Sequence, residues 1–82
     1  MAATGLSPED AIVIEAEDEM RGIAAEYAWL AQHLGQRGKA WELEIQALMQ
    51  HDGRYMDCLK VKLRDGTVRD YYFDISAFFG KM

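Results

Sequence analysis

The chain has one cysteine and one proline among its 82 residues, and a single basic residue in its first 35. Each shortage excludes something. A lone thiol, Cys58, closes no internal disulfide, so the fold must hold without a covalent staple, and a reducing cytosol is the expected compartment. One proline and a hydrophobic share of 50% exclude a linker or disordered composition. No apolar run approaches the roughly 20 residues that cross a bilayer, so no membrane association is expected. The opening stretch MAATGLSPED lacks a positive region followed by an apolar core, and no signal peptide is read there. There is no HExxH, CxxC, calcium-loop, GxGxxG, Walker or GxSxG pattern, so no metal, cofactor or nucleotide is expected. His33 and His51, at opposite ends of the expected fold, have no second ligand at a metal-binding spacing.

What is present begins with charge. Residues 1–35 hold Glu9, Asp10, Glu15, Glu17, Asp18, Glu19 and Glu26 against Arg21 alone, a balance of −6 within an overall −5. The bland account is a solvated helix face. The sharper one is an acidic surface around Glu15, Asp18, Glu19 and Glu26 that attracts a basic partner and repels nucleic acid.

Ser7-Pro8-Glu9-Asp10 has the chemistry of a helix start: a capping hydroxyl, proline in the first turn, and acids at the positive end of the dipole. Val13, Ala16, Met20, Ile23, Tyr27, Leu30 and Leu34 then recur at spacings of three and four. This predicts one helix over residues 8–34, with Gly35 as its terminator and Gly22 as a tolerated weak point. The β-branched Ile12-Val13-Ile14 allows a short strand as the alternative.

Residues 41–63 read as two strands joined at His51-Asp52-Gly53. A two-residue Asp52-Gly53 turn would set Ile45 against Lys60. A three-residue loop sets Trp41 against Leu63, Leu43 against Val61 and Ile45 against Leu59, with Glu42 and Glu44 facing Lys62 and Lys60. The second register satisfies both faces and is the one expected. A third strand spans about 67–74, with Leu59 opposite either Tyr72 or Tyr71. Asp74 or Ser76 caps a last helical turn from Ile75 to Phe79, closed by Gly80.

These elements predict one α+β domain over residues 1–82, with 1–7 flexible. One long N-terminal helix lies on a three-stranded antiparallel meander, and a short C-terminal helical turn follows. The helix, at about 40 Å, is long enough to run along strands of about 37 Å. Trp41, Leu43, Ile45, Leu59, Val61 and Leu63 would form the inner face. On the outer face Leu48, Met56 and Cys58 would cluster with Tyr72 or Phe73, depending on the third-strand register. A contiguous apolar patch on an uncovered sheet marks an interface.

The favoured reading is therefore a small protein without catalytic activity, acting as a homodimer or partner-binding module through the outer sheet face or paired edge strands. The alternative is a small-ligand protein or minor enzyme, with a pocket at Tyr55 and Asp57, because parity puts a carboxylate on the inner face. A third reading is an acidic inhibitor of a basic protein.

Overall fold

The computed structural model describes residues 4–79. Its sheet is built on a long hairpin, Trp41–His51 (β2) and Arg54–Leu63 (β3), in which two local demands collide. At the turn, Asp52 and Gly53 take φ of 51° and 76°, the left-handed pair that a two-residue primed turn requires. That turn pairs His51 with Arg54, Met49 with Met56 and Ile45 with Lys60. At the far end, Trp41 and Leu43 pair with Leu63 and Val61, which keeps all four on the face that packs against the helix. The two registers differ by one residue, and a bulge between Leu43 and Ile45 absorbs it. Both registers weighed from the sequence therefore occur, each in its own half of the hairpin.

The bulge inverts the outer half of β2. Gln46, Leu48 and Gln50 share the inner face with Leu59, Asp57 and Tyr55, whereas Ile45, Ala47 and Met49 turn outward. Ile45, expected in the core, is 55% exposed. Glu42 still stands across from Lys62, but Lys60 faces Ile45 rather than Glu44.

Val68–Asp74 (β4) completes the meander with Leu59 opposite Tyr71, the second of the two registers considered. Gly66, at φ 91°, takes the left-handed position in this connection, and the Leu63 N–H donates to the Thr67 carbonyl at 2.7 Å. A fourth strand, Ile12–Val13 (β1), adds in parallel to β4, giving the order β1-β4-β3-β2.

The long helix is thus shorter than expected. Pro8–Asp10 forms only a 3-10 turn, and Ser7 makes no side-chain cap. The chain then extends, because the β-branched trio finds a partner: Ile12 pairs with Phe73, and the Ile14 N–H donates to the Asp74 carbonyl at 3.0 Å. The helix proper, Glu19–Leu34 (α1), starts at Asp18, whose carboxylate accepts from the Arg21 N–H at 2.9 Å. Its inward stripe is Gly22, Glu26 and Leu30, flanked by Ala25 and Trp29. Met20, from the stripe expected from the sequence, is 82% exposed.

Leu30, Trp41, Leu59, Val61, Tyr71, Phe73 and Phe78 form the centre of the core. Residues 76–79 make a hydrogen-bonded turn rather than a helix, with Asp74 accepting from the Ser76 N–H. Of the stretch expected to be flexible, residues 1–3 lie outside the described residues, as does Gly80. Gly5 is buried, and its carbonyl accepts from the Tyr72 N–H at 2.7 Å.

Gly22 is a close contact rather than a weak point. A Cβ there would lie 2.2 Å from the tip of the Phe78 ring. Gly22→Ala should therefore destabilise the domain by about 1–3 kcal/mol, even though alanine favours a helix over glycine by about 1 kcal/mol. Urea denaturation checks this, and a gain in stability would show that the ring swings aside freely.

Candidate functional site

The pairing of Leu48 with Asp57 at the inverted half of β2 creates the feature of most chemical interest. Asp57 projects from the centre of β3 toward α1 and is only 7% exposed. Glu26, on the buried stripe of α1, faces it and is 1% exposed. Two carboxyl groups therefore share the space between helix and sheet. Burial, and then the neighbouring Asp57 charge, push Glu26 up to about 9. Asp57 is raised as well, chiefly by burial, while the Glu26 carboxyl and the Gln46 amide, both turned toward it, hold it back. At neutral pH the pair accordingly keeps a proton, which resides on Glu26. Asp57 stands close enough to influence that proton, yet neither Glu26 oxygen makes a hydrogen bond within ordinary distance and angle limits.

Asp57 opens into a cleft of about 170 Å³ between α1, β2 and the C-terminal turn. Ile23, Leu48, Ile75, Phe78 and Phe79 supply apolar walls, and Glu19 and Gln46 supply the polar rim. Tyr55 does not line this cleft. It acts from beside it, stacking on Phe79 with ring centroids 4.1 Å apart. Its backbone accepts from Ile75 N–H and donates to Ser76 Oγ, tying the turn to β3.

The expected outer-face cluster is dispersed. Leu48 lies on the inner face and is 54% exposed; Phe73 is also inward and wholly buried. Tyr72 and Cys58 pair on the outer face, both half-buried. Burial pushes the Cys58 thiol up, helped by Asp70, which disfavours a reactive thiolate. Met56 is on the outer face but only 2% exposed. Pro8 and Glu9 meet it across a cleft shared with His51, Asp52 and Arg54. The Glu9 carboxylate lies 3.6 Å from His51 Nε2 beside that face.

The acidic surface also divides. Glu15 and Glu19 are exposed, Asp18 is the helix cap, and Glu26 is in the interior. Sequence reasoning missed Glu26 as a buried group. Its signal was the spacing Gly22-Glu26-Leu30, with Ala25 and Trp29 alongside, a second apolar stripe that competes with the one through Met20 and Ile23.

Among the described residues no group of histidine, cysteine and carboxylate side chains is arranged to hold a metal ion, and no helix is long and apolar enough to cross a membrane. Compared with known protein families, with curated proteins and with solved structures, the chain matches none.

Proposed function

We propose that the protein is a binding module that associates with a second copy of itself through the free edge of β2. The observation that carries this reading is the exposure of that edge. β2 is an outermost strand of 11 residues, and residues 44–48 are exposed along it. Long edge strands are usually blunted by charge, proline or a bulge. Here the acids Glu42 and Glu44 and the bulge all fall in the first half. The run from Ile45 to Gln50, IQALMQ, carries no charge, proline or glycine.

An antiparallel pairing of two such runs about a two-fold axis near Ala47 opposes no like charges and joins two sheets into one. It also shields Ile45 and Leu48, which flank the edge on opposite faces. The burial of Met56 favours the edge over the outer sheet face as the contact.

Light scattering after size exclusion, across about a hundredfold dilution, tests the proposal. A dimer is expected at the upper end of the range. Ile45→Glu should give a folded monomer, since the new carboxylate faces Lys60 within the chain but would lose water against Met49 of the second copy in the paired state. A wild-type chain that stays monomeric throughout, or an Ile45→Glu dimer as tight as the wild type, would overturn it.

A further inference from the structure

The cleft at Asp57 takes Gln46 and Leu48 from β2, and its chemistry is specific. It combines the Asp57 carboxylate, Glu19 on the rim, the Glu26 carboxyl behind Asp57, and walls that are mostly hydrocarbon and aromatic. We infer that this cleft binds a primary ammonium group on a short apolar stem, with the positive head at Asp57 and the stem along Leu48, Ile23 and Phe79.

Four observations carry the assignment. The first is Glu26: a carboxyl that is 1% exposed, with neither oxygen hydrogen-bonded, is an unusual thing to keep on the packing stripe of a helix. An apolar residue would fill that position at no polar cost. The second is direction, since the Glu26 carboxyl acts on Asp57, and Asp57 lines the cleft. The pair thus presents negative potential to the cleft from surroundings of low polarity, where an ionic contact is stronger than at the surface. The third is the wall: Phe78 and Phe79 offer aromatic surface compatible with a cation, and Ile23, Leu48 and Ile75 accept methylenes. The fourth is size. A volume of about 170 Å³ is close to the ~150 Å³ cavity that holds benzene. That is room for about six heavy atoms inside the cleft, so n-butylammonium fits whole while a larger amine would project into solvent.

Protonation follows from this arrangement. The titratable groups that act on Asp57 are Glu26 and Glu19, both from α1. β2 contributes the neutral Gln46, β4 places Phe73 beside Asp57, and the C-terminal turn adds Phe78 and Phe79. An entering cation offsets the Asp57 charge that helps hold the Glu26 proton, so binding should loosen that proton and release part of it. Affinity then rises with pH while Glu26 remains protonated in the free protein, by up to about tenfold per pH unit, and levels off once Glu26 ionises unaided.

The experiment is a carboxyl-carbon nuclear magnetic resonance titration with n-butylammonium chloride at several values between pH 6 and pH 9. Saturable shifts of Asp57 and Glu26 are expected, with a dissociation constant of the order of 1 mM for so small a ligand and tighter binding as pH rises. Asp57→Asn should abolish the shift at Glu26. Glu26→Gln, which keeps shape and removes the proton, should stay folded, bind about tenfold more weakly at alkaline pH and lose most of the pH dependence. A lysine capped at both ends carries the same butylammonium group. Binding tighter than the free amine would point to lysine side chains as the natural source, and weaker binding to small amines. Equal binding of 1-butanol, no saturation by about 100 mM on the affinity scale of small fragments, or identical behaviour of wild type and Glu26→Gln would overturn the assignment. Ile45 does not line this cleft, so running the same titration on Ile45→Glu separates a failure of self-association from a failure of the cleft.

Discussion

Glu26→Gln is expected to make the protein more stable at pH 8 than the wild type, by a few kcal/mol, and to flatten the dependence of stability on pH. The folded chain holds the Glu26 proton up to about pH 9, whereas an unfolded chain releases it near the ordinary value of 4.5. Between those limits the native state binds more protons than the unfolded state. Wild-type stability must therefore be greatest at the acid end and fall as pH rises through the window, by at most about 1.4 kcal/mol per unit. Asp57, raised by burial, adds slope of the same sign, so the variant keeps a residual dependence. Glutamine has no proton to lose, and its amide can donate to Asp57. Urea denaturation of both proteins at unit steps from pH 5 to pH 9 measures the effect. Parallel stability curves would mean that Glu26 reaches solvent in the native state and is not held between helix and sheet.

The second large effect is at Met56. Met56→Lys should cost about 1–3 kcal/mol, since its ammonium must leave a site only 2% exposed and displace the N-terminal segment to reach water. That is a large fraction of the total for a domain of this length, at about 0.05–0.15 kcal/mol per residue. Read from parity alone, this substitution would weaken self-association and spare the fold. The structure reverses that expectation because Pro8 and Glu9 lie across Met56. Leu48→Glu, at a half-open position, should be tolerated far better, and Met56→Leu should be nearly silent. Thermal melts of the three variants test this. A Met56→Lys melting temperature equal to that of wild type would show that the N-terminal segment does not cover the sheet.

How far the fold was legible depended on the distance over which each determinant acts. Alternation from Trp41 to Leu63 identified the hairpin, since a strand's period is set by neighbouring residues. The C-terminal end of the helix, with Gly35 after Leu34, was equally local. The helix start was not. Ser7-Pro8-Glu9-Asp10 has the right chemistry for a first turn and makes one, but Ile12 and Val13 pair with Phe73 and Asp74, some sixty positions away in the chain by subtraction of their numbers. That gain is invisible to any pattern within the first 20 residues. The acid pair was half legible: Asp57 stood out by parity, while Glu26 was read as surface because acids flank the start of its helix.

The sequence by itself determined the class of fold, an α+β layer with one helix and an antiparallel hairpin, because binary patterning and turn residues act over a few neighbours. It also determined that Asp57 is an inward carboxylate. Only the tertiary structure decided the bulge at Glu44, the fourth strand, the rotation of the helix that buries Glu26, and the covering of Met56. Each is a compromise between distant segments competing for the same space. Turn chemistry at Asp52-Gly53 and packing at Trp41 demand registers one residue apart, and the chain meets both only by inserting a residue between them. That single residue moves Leu48 to the face of Asp57 and leaves Ile45 exposed beside a free strand edge.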